Sequence, residues 1–187
     1  MKNRLRETWS SGKPALNGWL GIPSTFSAEI MSKQDFDSIT IDLQHGLTDY
    51  SIAVPMMQAM SASDATMLCR VPWLEAGIIM KLLDAGAMGI ICPMINSRKE
   101  AEEFVGATRY SPDGYRSSGP VRANLIYPDY HNQAKDKIIS MAMIETKEAV
   151  SNAEEICATP GLTGIYVGPS DLAISMGEGP GFDRKPG

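Results

Sequence analysis

The sequence predicts an α/β fold built on a parallel sheet, and three observations carry that prediction. Apolar runs of strand length alternate with periodic, helix-length segments along nearly the whole chain. Side chains capable of chemistry collect where the apolar runs end: Asp42 and His45, Arg70, Glu145 and Asp171. No Gly-x-Gly-x-x-Gly follows the first strand, which disfavours the doubly wound, dinucleotide-binding version. The expected architecture is therefore of the (β/α)8 TIM-barrel type, with its active groups at the C-terminal ends of the strands. A complete barrel holds eight units in about 250 residues. This chain of 187 residues has room for six.

The polar N-terminus, MKNRLRETWSSGK, leads into Ala15–Ile22, the expected first strand. Ser24-Thr25-Phe26-Ser27 offers helix N-caps for a short helix over Ala28–Lys33. Ser38–Leu43 is the second strand and runs into Gln44-His45-Gly46; a helix with Met56, Met57 and Met60 on its apolar side spans Tyr50–Met60. The third strand, Thr66–Val71, meets Pro72, which bars an earlier helix start. Glu75–Ala85 is a strongly periodic helix closed by Gly86. Met88–Cys92 is the fourth strand, stopped by Pro93, and Ser97 caps a helix to about Thr108.

The loop Arg109–Pro120 is long enough to be functional or disordered. A polar insert near Tyr127–Lys137, which could be helical, leads to the fifth strand, Ile138–Ile144, almost entirely apolar as befits a strand covered on both faces. Thr146 caps a helix from Lys147 to about Ala158. The sixth strand, Leu162–Gly168, ends in Gly168-Pro169-Ser170-Asp171 and a short helix to Met176. Residues 1–177 are expected to form one barrel domain, incomplete at its C-terminal end, and the Gly/Pro-rich 178–187 a flexible tail.

Bulk properties narrow the function. With 43% hydrophobic residues there is material for a real core, and a net charge of −5 without a basic run disfavours nucleic acid or an anionic membrane as partner. The N-terminus does not read as a secretory signal, and no apolar stretch approaches the length of a membrane span. Cys69, Cys92 and Cys157 show no paired spacing and are expected as buried free thiols in a reducing cytoplasm.

The chemistry centres on Met141–Thr146, a buried strand that ends in a carboxylate and passes into a helix. The next strand ends likewise, so Glu145 and Asp171 share one rim. Two bare carboxylates about 4 Å apart repel by roughly 4 kcal/mol at an effective dielectric near 20. A bound cation removes that cost, and an all-oxygen pair suits Mg²⁺ or Mn²⁺ better than zinc. Asp171 also suits plain helix capping, and Glu145 an arginine-paired structural role. His45 on the same rim is a candidate base, with Asp42 three residues earlier able to fix its tautomer. Arg70 would meet a substrate carboxylate or developing oxyanion, or else a salt bridge to Glu145 or Asp42.

Gly168, Pro169 and Ser170 open a helix that offers backbone N–H groups to a small anion. Trp19 and Trp73 lie near strand ends and can wall a pocket, while Arg109 and Arg116 could bind an acidic substrate tail or be solvated. No lysine falls at an expected strand end facing the rim, which disfavours a Schiff base.

Taken together, Gly18-Trp19-Leu20-Gly21, Phe36-Asp37, Ile41–Gly46 and Arg70-Val71-Pro72 resemble the metal-dependent (class II) 2-oxo-acid aldolases. So do Leu82–Ala87, Arg109–Arg116, Ile144-Glu145-Thr146 and Gly168–Leu172, and the likeness runs in order to about Gly177. This is the family of 4-hydroxy-2-oxoheptanedioate aldolase and the 2-keto-3-deoxy-sugar-acid aldolases, related more remotely to the citrate lyase beta subunit. The resemblance implies a barrel whose protomers form dimers building hexamers. It implies that Glu145 and Asp171 ligate Mg²⁺ or Mn²⁺, with Co²⁺ a further candidate, and that the cation holds pyruvate. It implies that Arg70 steadies the enolate oxygen and that His45, oriented by Asp42, is the base in retro-aldol cleavage. Met143 stands where family members often carry Gln.

The function expected is reversible cleavage of a 4-hydroxy-2-oxo acid to pyruvate and an aldehyde by a cytoplasmic homo-oligomer. The alternatives are a carbon–carbon lyase acting on an acyl-CoA thioester, and a non-catalytic protein that binds metal and oxo acid.

Overall fold

Six short strands carry the architecture: β1 (Asn17–Leu20), β2 (Ser38–Asp42), β3 (Thr66–Arg70), β4 (Gly89–Cys92), β5 (Ile139–Ile144) and β6 (Gly164–Val167). The computed structural model describes residues 1–179, so the expected tail at 178–187 lies almost wholly outside the described residues. The strands form one sheet in chain order, every neighbouring pair parallel. Sequential order with helical crossovers is the winding of a (β/α) barrel, curled here through six units. Each of β1 and β6 has one strand neighbour among the described residues.

The helices are α1 (Arg4–Ser10), α2 (Thr25–Ser32), α3 (Tyr50–Ala59), α4 (Ala76–Asp84), α5 (Arg98–Thr108), α6 (Val121–Ile126), α7 (Tyr130–Lys137), α8 (Lys147–Ser151), α9 (Ala153–Cys157) and α10 (Pro169–Ser175). Five of the crossover helices start on a side chain that accepts a backbone N–H: Ser24, Asp49, Glu75, Ser97 and Thr146. Such a cap stabilises a helix by about 1 kcal/mol. These caps set the points at which the chain turns from strand to helix, and so the height of each loop on the rim.

Alternation along the strands separates two environments. Ile39, Ile41, Cys69, Ile90, Cys92, Ala142 and Ile144 join the main core with Met56, Leu82, Leu83 and Phe104 of the helices. Full burial of each such aliphatic or aromatic side chain contributes about 1.5–3 kcal/mol. On the opposite face, Leu68 and Ile139 form a small cluster with Leu5. Ser38 and Thr40 on that face donate to Asn17 Oδ1 at 2.8 and 3.0 Å.

The chain departs from the sequence reading in several places. Helix α1 was not expected: its polar sequence buries one side chain, Leu5. It is held tertiarily, with Asn3 Nδ2 donating to Lys137 O at 2.9 Å and the Leu5 N–H to Thr66 Oγ1 at 3.0 Å. It therefore seals the N-terminal end of the sheet. Helix α6 precedes the expected insert, and the expected helix from Lys147 breaks at Asn152 into α8 and α9. Cys69 and Cys92 are buried thiols as expected, but Cys157 is exposed because it falls on the outer side of α9.

Both arginines of the loop from Arg109 to Pro120 are buried, and they lie at the wrong end for a substrate. Arg109 donates to the carbonyls of Ile138 and Gly161, and burial draws its guanidinium down to about 10. Arg116 pairs with Asp84 at 2.6 Å and donates to the Tyr130 hydroxyl at 3.0 Å. Both are structural, lying by the start of β5 or behind α4. No helix among the described residues is long and apolar enough to cross a membrane.

Candidate active site

The parallel register sets Asp42 directly beside Arg70 at the C-terminal ends of β2 and β3. Asp42 accepts from Arg70 Nε at 2.9 Å and Nη2 at 2.5 Å, a two-point fork. It also accepts from Trp19 Nε1 at 3.3 Å and from the backbone N–H groups of Gln44 and His45 at 3.0 and 3.3 Å. Burial works to raise the Asp42 carboxyl, but Arg70, the Gln44 N–H and the Trp19 indole outweigh it and hold it below the ordinary carboxylate range. The guanidinium also lies over the Trp19 ring, 5.0 Å from its centroid. Arg70 Nη1 keeps its N–H groups free of hydrogen bonds to described residues.

Asp42, expected to orient the His45 ring, makes a different contact with His45 in the structure. Asp42 meets His45 at the backbone amide, and its two carboxylate oxygens are shared among Arg70, Trp19 and the Gln44 and His45 N–H groups. Its work is to lock Arg70 and the turn that carries His45. The imidazole itself is exposed on that turn, with no hydrogen bond to a described residue. Gly46 lets the turn close: a Cβ there would lie 2.3 Å from Asp42 O and 3.1 Å from Gly21 Cα.

Glu145 follows β5 and is buried, with 2% of its surface exposed. One oxygen, Oε1, accepts the Met94 N–H at 2.7 Å; the other lies against the backbone of Gly168. Burial pushes the Glu145 carboxyl up, the Met94 N–H opposes this, and the charge of Asp171 pushes it further up. Arg70 and His45 also act on it, in the opposite sense. The four groups thus share one electrostatic neighbourhood.

Asp171 sits in the first turn of α10, exposed, and its carboxylate makes no hydrogen bond to a described residue. The helix start is poorer in donors than its sequence promises. The Gly168 N–H is committed to Ile144 O at 3.1 Å, and Pro169 has none. Ser170 and Asp171 are the donors left. Gly168 and Pro169 shape the turn, and their expected part in donating to an anion is corrected accordingly.

Trp19 lies between Asp42, Arg70 and Tyr166, its ring centroid 5.6 Å from that of Tyr166. It forms part of the site floor, whereas Trp73 stands out in solvent, 57% exposed. Three residues here escaped the sequence reading. Tyr166 was legible in principle, because Gly164 and Tyr166 alternate with the outward Ile165 and Val167. Met94 and Gly46 act through backbone, and nothing in their side chains marks them.

The donor set fits a hard divalent cation. No group of three or more His, Cys, Asp and Glu gathers among the described residues, so Glu145 and Asp171 are the pair available. A buried carboxylate with one hydrogen bond, pushed up by the charge of a second carboxylate that has none, is the arrangement a cation relieves.

A parallel α/β sheet of barrel winding, with two carboxylates, a locked guanidinium and an imidazole on its C-terminal rim, defines a class of TIM-barrel-type enzyme. The chain belongs to the HpcH/HpaI aldolase/citrate lyase family, whose model matches residues 18–181. It is 43% identical to the hydroxypyruvate/pyruvate aldolase of Rhizorhabdus wittichii over 98% of this chain and 73% of that enzyme. It is 35% identical to the 4-hydroxy-2-oxo-heptane-1,7-dioate aldolase of Salmonella paratyphi C, over 95% of this chain and 69% of that enzyme. Its fold superposes on a crystal structure of a family member from Burkholderia cenocepacia with a TM-score of 0.88, at 29% identity, covering 95% of this chain and 73% of that one.

Proposed function

We propose that this protein is a metal-dependent lyase that reversibly cleaves a 4-hydroxy-2-oxo acid to pyruvate and an aldehyde. The observation that carries the reading is Glu145: a buried carboxylate with one hydrogen bond, within the field of Asp171, Arg70 and His45. Membership of an aldolase family supports it.

Glu145 and Asp171 would hold Mg²⁺ or Mn²⁺, with Co²⁺ a third candidate; a cation there supplies a Lewis acid for the oxygens of a 2-oxo acid. Arg70, its fork fixed by Asp42 and its face by Trp19, directs its remaining N–H groups at an oxygen that gains charge as the bond breaks. His45 takes the proton from the 4-hydroxyl, directly or through water, and returns it in the aldol direction. The Ser170 and Asp171 N–H groups would serve the substrate carboxylate. The open rim, with Leu47 and Trp73 exposed around it, favours a homo-oligomer that covers the site.

The test is pyruvate release from a 4-hydroxy-2-oxo acid. Activity should vanish with EDTA and return with Mn²⁺. Turnover that survives EDTA, with the enzyme inactivated by borohydride in the presence of substrate, would point to an imine and reject the reading.

A further inference from the structure

We propose that Met94 and Gly168 are positioning residues that grip the Glu145 carboxylate from both sides; the inference rests on the metal-holding role proposed for Glu145. Met94 has φ +55°, one of two non-glycine residues in the left-handed region among those described. That conformation is unfavourable for a side chain with a Cβ and persists only where surroundings impose it. Here they do. Ile95 is fully buried beside it, and Asn96 is tied to Thr146 and accepts from Asn152 Nδ2 at 2.8 Å. The result aims the Met94 N–H at Glu145 Oε1, 2.7 Å away.

Gly168 acts through space, not through torsional freedom, since its φ of −97° suits any residue. A Cβ at Gly168 would lie 2.3 Å from Glu145 Oε2 and 2.7 Å from Glu145 Cβ. The second clash is with an atom fixed to the backbone, so rotating the carboxylate does not relieve it. One oxygen is thus held by a donor from the turn after β4. The other lies against a bare backbone in the turn that carries Asp171. Between them they leave the carboxylate a single orientation.

Mn²⁺ affinity of the purified full chain, read by electron paramagnetic resonance of free Mn²⁺, tests this, with thermal unfolding followed by circular dichroism as the folding check. Gly168→Ala should weaken Mn²⁺ binding about 10- to 100-fold, the range for residues that orient a metal ligand. Met94→Ile, whose branched Cβ disfavours positive φ, should weaken it too, whereas Met94→Gly, at ease at that φ, should keep the wild-type affinity. If Gly168→Ala does not fold, the Met94 pair decides. Folded Gly168→Ala or Met94→Ile protein that binds Mn²⁺ as the wild type does would overturn the clamp. Wild-type protein without Mn²⁺ affinity would sink the metal reading instead. A crystal structure of Gly168→Ala then decides the clamp alone: a carboxylate turned off the Met94 N–H supports it, and an unmoved one overturns it.

Discussion

Asp42 stands at the join of three functions: it forks Arg70, anchors Trp19 and ties down the backbone of His45. Its carboxyl is held below the ordinary range, so the stability it contributes is present above the unfolded carboxylate value. That contribution is lost as pH falls through the folded one. Asp42→Asn should therefore cost about 3 kcal/mol in urea unfolding at neutral pH, by leaving Arg70 unpaired. The gap to wild type should close in acid. The roles proposed for His45 and Glu145 separate differently. His45→Ala should lower kcat by roughly 10²- to 10⁴-fold yet spare Mn²⁺ binding; Glu145→Ala should abolish both.

These residues were legible because each is a reactive side chain at the end of an apolar run. What could not be read was how they meet. The Asp42–His45 spacing suggested a side-chain pair, but the turn brings the amide, not the ring, to the carboxylate. Met94 was invisible because a backbone torsion carries no sequence mark in a methionine.

Among the elements, the strands and capped helices were read nearly as they stand, since buried apolar runs and Ser, Asp, Glu or Thr caps are local signals. Helix α1 was missed for the opposite reason: a single buried leucine gives no periodicity, and the helix is held by contacts with Thr66, Lys137 and Ile138 far along the chain. Leu5→Ala should thus cost about 2–5 kcal/mol of stability. Because α1 lies at the end of the sheet opposite the carboxylates, Mn²⁺ affinity in the folded variant should not change. Chemical unfolding and Mn²⁺ titration of the same preparation check both halves. The arginines of the 109–120 loop make the same point, since charge in a long loop suggested ligand binding until packing showed Asp84 and backbone carbonyls as their partners.

At the scale of the molecule, winding order and rim were legible, because alternation and the placement of polar residues at strand ends survive in the sequence. The curvature and the edges were not. The outer face of β6 carries Ile165 and Val167, 36% and 53% exposed, and the neighbouring helix exposes Ile174 and Met176. An apolar face beside a strand edge that has no neighbour among the described residues invites association. Sedimentation velocity should show self-association that grows with concentration and is reduced by Val167→Lys.

The contact between Trp19 and Tyr166 joins the first and last strands of the sheet through their rings. It also gives the protein an internal optical gauge. Of its three tryptophans, Trp9 and Trp73 are exposed and replaceable, so a Trp9→Phe, Trp73→Phe variant emits from Trp19 alone. With Arg70 over one side of that indole, an oxo acid that engages the free N–H groups of the guanidinium should change its brightness, and occupancy could be followed by light without turnover.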